Sequence, residues 1–303
     1  MQVNILKKED NFDHNIFFEE IANIKKDYIK NGFVFISSSK ILELLSYLGV
    51  SNSELDFLKT ISNNLPPDPT LKFRESRNGR FFHNNSQGFI YRTEFQPFVL
   101  SSSEDFIRHD SGQLRKFTGL SEDLTRNAAF QGLLRIKNLI INNTSIHPRP
   151  NLNYKTSDWV TTVFNLRTLT SKDLLGEPAL EGVHSDGVDH TMTTILGYEN
   201  MTDDSAITHI HSNEEKSGIG FSQTKKEYLL ASMRHKNFLD TVLIKDNERK
   251  HSLSPVYQKN EDKLANRDML IFFTRKPCVE GHISFDYDSN EPHPDYPVKF
   301  NVQ

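Results

Sequence analysis

The 303-residue chain has a single cysteine, Cys278, which excludes an intramolecular disulfide framework and any zinc site built from several thiolates. It has no apolar run long enough to cross a bilayer. Residues 1–10 lack the apolar stretch of a secretory signal, so a cytoplasmic protein is the expectation. Basic residues are not in excess: 36 Lys and Arg stand against 40 Asp and Glu, which argues against nucleic acid as a partner. Internal repeats and low-complexity linkers are absent, and alanine is scarce while phenylalanine reaches 22 residues. That bias favours sheet over a helical bundle. The length suffices for a full hydrophobic core.

What is present falls into two parts. Residues 14–30 place Ile16, Phe17, Ile21, Ile24 and Tyr28 at helical spacing. The pair Asn31-Gly32 ends that helix, and residues 33–36 read as a short buried strand. Serines 37–39 cap a second helix over 40–48, a third covers 53–61, and the prolines at 66, 67 and 69 stop it. Residues 121–143 read as one further helix. Then Trp159, Thr161, Val163, Asn165 and Arg167 share one strand face. Short strands separated by turn signals follow: 191–198, a hairpin of 206–211 with 216–221, 228–230, 240–245 and 270–274. This pattern predicts a sandwich or jelly roll within an α+β chain. The expected organisation is mostly helical support over 1–150, a jelly-roll core over 151–280 and a tail over 281–303.

The chemistry centres on Glu181-Gly182-Val183-His184-Ser185-Asp186-Gly187-Val188-Asp189-His190. Residues two apart on a strand share a face, so an extended 184–186 offers one imidazole and one carboxylate on the same side. Two histidines and a carboxylate with open positions form the ligand set of non-heme Fe(II) oxygenases. Two sources of the second histidine stay open. One is His251, which follows the strand 241–245. The other is the pair His209 and His211, which reads otherwise as exposed hairpin histidines. Arg267 opens the last apolar strand, and a guanidinium buried there needs an anion such as a dicarboxylate cosubstrate. Residues 71–95 interleave Arg74, Arg77 and Arg80 with Phe73, Phe81 and Phe82. They read as a carboxylate site or as a solvated face with arginines over rings. Arg167 carries the same ambiguity, substrate carboxylate or structural acid.

In this order the stretches resemble the Fe(II)/2-oxoglutarate dioxygenases that hydroxylate free amino acids, typified by bacterial L-isoleucine and L-leucine hydroxylases. The resemblance rests on Gly112-Gln113-Leu114-Arg115-Lys116-Phe117, the arginine-rich 73–82, the strand 160–167, the glutamate-glycine-x-histidine-x-aspartate-glycine core at 181–187, and 240–255 followed by 266–273. Two departures are the charged approach 246–250 and the missing glycine-glycine-glutamate pattern near His209. The resemblance implies a double-stranded β-helix (jelly roll, cupin-like) with N-terminal helices packed outside. It implies His184, Asp186 and His251 as Fe(II) ligands and Arg267 as the group that binds 2-oxoglutarate. O2 is the further co-reactant and ascorbate a stimulant. The partner is a small-molecule amino acid, with no nucleic acid and no membrane. Its carboxylate is expected at Arg167 or at one of Arg74, Arg77 and Arg80. Asp189 and His190 are expected near its α-amino group or behind the metal ligands. The alternative is a cupin-like isomerase or lyase that uses the same histidines without 2-oxoglutarate.

Overall fold

The structure, a computed structural model, describes residues 3–102, 108 and 110–302, with side chains from residue 15 onward. Helical spacing builds an outer layer. Helix α1 (Val3–Asn31) buries Phe17, Ile21, Ile24 and Tyr28. Helix α2 (Ser38–Tyr47) is capped by the Ser37 hydroxyl, which accepts from Lys40 N at 3.4 Å. Helix α3 (Asn52–Thr60) starts with a reciprocal box between Ser51 and Glu54. The helix expected over 121–143 is two: α4 (Glu122–Arg126) and α5 (Ala128–Ile141). Asn127 divides them. Its backbone is extended and its side chain accepts from Phe130 N at 3.0 Å, so it ends one helix and caps the next.

The strands among the described residues are β1 (Phe33–Ile36), β2 (Arg74–Asn84), β3 (Phe89–Arg92), β4 (Thr118–Gly119), β5 (Trp159–Thr170), β6 (His190–Glu199), β7 (Thr208–Ser212), β8 (Leu229–Met233), β9 (Thr241–Lys245), β10 (Arg249–Leu253), β11 (Ala265–Arg275) and β12 (Lys299–Asn301). Nine form a major sheet in the order β1-β9-β6-β11-β5-β2-β3-β12, with β4 beside β2. The minor sheet is β10-β7-β8. The two sheets meet where Ile210 of β7 packs on Val242 and Ile244 of β9. This is the double-stranded β-helix expected from the sequence, with the helices outside.

The central strands are apolar on both faces, and alternation decides what each face does. On β11, Leu270 and Phe272 point to the helical layer and join Phe130 and Leu133 of α5. Met269, Ile271 and Phe273 point the other way and join Phe98, Phe117 and Phe164 around a cavity between the sheets. On β5, Val163 faces the helices while Phe164 and Leu166 face the cavity.

Three expectations need correction. Residues 216–221 form no strand, and β7 pairs instead with β8 and β10. Gly218, at φ 78°, bends that segment back onto the 181–187 stretch. Residues 1–150 are not only helical support, since β1–β4 belong to the major sheet. The expected tail also supplies β12, which pairs with β3. No helix among the described residues is long and apolar enough to cross a membrane.

Phe272 has no exposed surface and stacks on Phe130 at 6.1 Å. Phe272→Ala is expected to cost about 3–5 kcal/mol of stability, read as a lower denaturation midpoint at unchanged slope.

Candidate active site

The segment between β5 and β6 is held by backbone contacts on both sides. His184 N–H donates to His251 O and His251 N–H donates to His184 O, each at 2.9 Å. This exchange brings the two rings to 4.3 Å between centroids. On the other side, Val183 N–H donates to Ile219 O at 2.9 Å and Gly218 N–H to Val183 O at 2.8 Å. Gly182 makes that approach possible. Its φ is 74°, and a Cβ there would lie 2.3 Å from Ile219 O.

His251 lies on β10, not in a charged loop, and is buried. Ligand atoms of His184, Asp186 and His251 fall within 4.8 Å of one another. His184 Nε2 is 3.4 Å from Asp186 Oδ1, and His251 Nε2 is 3.5 Å from Asp186 Oδ2. The ring nitrogen His184 Nδ1 is 2.8 Å from Gly182 O. A carbonyl can only accept, so Nδ1 carries a proton and Nε2 is turned to the cluster. Thr191 Oγ1 donates to Asp186 Oδ2 at 2.7 Å and fixes the carboxylate. Burial opposes charge on both rings. Around His184 the carboxylates of Glu181 and Asp186 outweigh it and hold the imidazolium up to about 10. At His251 burial prevails over Asp186 and drives the ring down to about 4. Burial would raise Asp186, yet His251 and His184 pull it down to about 2. Two histidine rings and one ionised carboxylate thus converge on one point, and with the His184 Nε2 proton given up they form a donor set that suits a divalent iron with open positions.

Asp246, fully buried at the end of β9, supports this cluster. Its Oδ1 accepts from Asp186 N at 2.9 Å, and its Oδ2 accepts from Val188 N at 3.3 Å and Arg149 Nη2 at 3.2 Å. The same carboxylate lies 4.0 Å from His251 Nδ1. Burial, with the charge of Asp186 added, raises Asp246 to about 7.

The cluster opens into the cavity between the sheets, which encloses about 980 Å³ counting solvent at its mouth. Arg267, 3% exposed, lines it from β11. No acid pairs with Arg267 among the described residues, and burial, then repulsion from Arg234 and Arg74, lowers it to about 10. Other charges on the wall are engaged. Arg108 binds Asp110 through two bonds of 2.5 and 2.6 Å, and Arg115 reaches the same carboxylate at 3.5 Å while lying 4.8 Å over Phe98. Asp68 accepts from Thr70 N, Leu71 N and Ser76 Oγ. Arg74 donates only Nη2 to Pro178 O at 3.3 Å, and its Nε is buried without a partner.

The structure brings His184, Asp186, His251, Arg267 and Arg74 into one cavity. It does not bring the other expected residues there. Arg167 shares its strand face with Val163, on the helix side, and forms a two-bond ion pair with Asp268 at 2.6 and 2.7 Å. Arg77 points the same way and donates to Gly119 O. Arg80 is on the inner side but beyond the cavity, held by Gln96 and Tyr287 O. Asp189 accepts from Tyr154 Oη at 2.5 Å and Lys276 N at 2.9 Å. His190 turns to the helices, where Tyr28 Oη meets its Nδ1 at 2.6 Å. His209 and His211 are buried, not exposed, but on the outer face of the minor sheet. There they bond Ser232 and Ser252, and His209 stacks on Phe221 at 3.5 Å. Sequence reasoning misses Arg108 and Glu181 as wall residues, and Asp110 as the acid that holds Arg108. The available signals were the Gly112-x-x-Arg115-x-Phe117 spacing and the glutamate that opens the 181–187 core.

Comparison with known proteins agrees with this geometry. The sequence matches the family described as 2OG-Fe dioxygenase over residues 59–273. It is 41% identical over 283 residues to the bifunctional enzyme flvA of Aspergillus flavus, covering 93% of this chain and 34% of that protein. The chain therefore spans about a third of the length of that curated relative. It is similar to the solved structure of the Fe(II)/α-ketoglutarate-dependent dioxygenase TqaL, with 41% identity and a TM-score of 0.83 over 96% of this chain and 98% of that one. The structure of IDO from Bacillus thuringiensis shares the fold at 15% identity and a TM-score of 0.63, over 84% of this chain and 99% of that one.

Two substitutions test how the cluster is held. Gly182→Ala is expected to lose about 1–3 kcal/mol of stability, measured by chemical denaturation. Asp246→Ala is expected to weaken Co(II) binding by about 10- to 100-fold, measured by absorbance titration, with the far-ultraviolet circular dichroism unchanged.

Proposed function

The chain belongs to the 2OG-Fe dioxygenase family, and from that premise we propose that it hydroxylates an unactivated C–H bond of a free L-amino acid. Fe(II), 2-oxoglutarate and O2 are the family's cofactor and co-reactants. Together they supply the oxidant that replaces a substrate C–H by C–OH while 2-oxoglutarate leaves as succinate and CO2.

The chain's own residues position and shield. His184, Asp186 and His251 hold the metal, with the Gly182 carbonyl and the Thr191 hydroxyl fixing the orientation of two of them. Arg267 takes the remote carboxylate of 2-oxoglutarate. Arg74 takes the substrate carboxylate through the edge that Pro178 leaves open. Phe98, Phe164, Ile271 and Phe273 face an aliphatic side chain and keep water from the reacting carbon. No protein base is required to break the C–H bond.

The observation that carries this reading is Arg267: a buried guanidinium with no carboxylate partner among the described residues, in the same cavity as the two histidines and the aspartate. A charge so placed is costly unless an anion accompanies it.

Purified protein with Fe(II), ascorbate and 2-oxoglutarate is expected to release succinate when offered an aliphatic L-amino acid, and mass spectrometry is expected to find the product one oxygen heavier. His184→Ala and Asp186→Ala are expected to abolish release. Arg267→Ala is expected to raise KM for 2-oxoglutarate by about 10- to 100-fold. Full turnover in both ligand variants sinks the assignment of the metal site.

A further inference from the structure

The charges left over on the cavity wall describe what enters it. Of the guanidiniums, Arg108 and Arg115 are committed to Asp110, while Arg74 and Arg267 retain donors that meet no carboxylate. Of the carboxylates, Asp68 is saturated by backbone and hydroxyl donors, Asp110 by arginines, and Asp186 belongs to the metal cluster. One acid remains. Glu181 lines the same wall, its side chain is 8% exposed, and its one ion-pair contact among the described residues is His184 Nε2 at 3.5 Å, with the Arg74 and Arg108 guanidiniums farther off but within its field.

At 3.5 Å that contact is too long for a good hydrogen bond, and Nε2 is the nitrogen that His184 would offer a metal. Glu181 is thus a nearly buried carboxylate facing the cavity with no hydrogen-bond donor in contact among the described residues, a state that favours a cation. Glu181 lies outside the group whose ligand atoms fall within 4.8 Å of one another, and a further protein ligand would consume a position that must stay open for cosubstrate and O2. The remainder is therefore two cationic groups and one anionic group. It is the complement of one dicarboxylate end, one α-carboxylate and one ammonium.

We propose that Glu181 binds the ammonium group of the substrate. The enzyme then accepts a free α-amino acid and rejects the same molecule once its nitrogen is acylated or replaced by hydroxyl. This rests on the amino-acid reading given above and adds the residue that enforces it. Recognition by a charge-assisted hydrogen bond in a dry site discriminates strongly against a neutral analogue, because the analogue leaves the carboxylate unpaired.

The test is calorimetric binding without turnover. Wild type and Glu181→Gln are loaded with Co(II) and 2-oxoglutarate under nitrogen and titrated with L-valine, L-leucine and L-isoleucine, and with the N-acetyl and 2-hydroxy-acid analogue of each. Wild type is expected to bind the best amino acid at least about tenfold more tightly than either analogue. Glu181→Gln is expected to lose most of that preference, Glu181→Asp to keep part of it, and neither to bind Co(II) or 2-oxoglutarate more weakly than wild type. A preference that survives in Glu181→Gln overturns the proposal. So does a parallel fall in Co(II) affinity, which makes Glu181 a metal ligand. Should the glutamine variant not fold, equal binding of amino acid and 2-hydroxy acid by wild type overturns it alone. Wild type that binds and turns over no amino acid at all removes the parent reading instead.

Discussion

A side chain on a strand points one way or the other, and in β11 and β5 both ways are taken. Leu270, Phe272 and Val163 are needed by the helical layer, so Met269, Ile271, Phe273 and Phe164 are left for the cavity. The same parity fixes the charged residues at the far end of each strand. Arg267 shares the side of Met269 and enters the cavity, while Asp268 and Arg167 face each other across the neighbouring strands and close an ion pair outside it. The register that completes the core therefore also aims Arg267 into the cavity. Slipping it by one residue would exchange the two sets.

Desolvation sorts the buried charges into two kinds. Arg167 with Asp268, and Arg275 with Asp288 at 2.9 Å, are closed pairs whose partners come from the protein itself. They hold scaffold together and leave nothing to bind. Asp246 is a third closed centre, satisfied by two backbone N–H groups and Arg149. Around the cavity the accounts stay open at Arg74, Glu181 and Arg267. Unsatisfied charge in a folded interior is unfavourable, so its concentration at one place marks where ligand atoms complete the structure.

Much of this was legible in the sequence, and the boundary of legibility is physical. The helices over 14–60 followed from apolar spacing and serine caps, His184 and Asp186 from their two-residue spacing, and His251 and Arg267 from the family resemblance in the order of the motifs. Arg167 shows the limit. Alternation correctly groups it with Val163 and Asn165, but both faces of β5 are apolar, and nothing local says which face meets helices. His190 fails for a related reason. It follows the motif by four residues, yet strand parity turns it to Tyr28, which lies 162 positions away in the chain. The partner of β7 lies elsewhere than 216–221, where Gly218 and Gly220 already weaken a strand, and the bonds of that segment to Val183 are tertiary. Arg108 and Asp110 sit in irregular chain with no period to read.

The mutual backbone bonds of His184 and His251 divide the labour at this point of the chain. Because each residue donates to the other at 2.9 Å, peptide groups hold the two positions opposite each other. A substitution at either position then removes a ring nitrogen and keeps the chain crossing. Lost binding in such a variant can be read as the loss of a ligand atom and not as the loss of the fold.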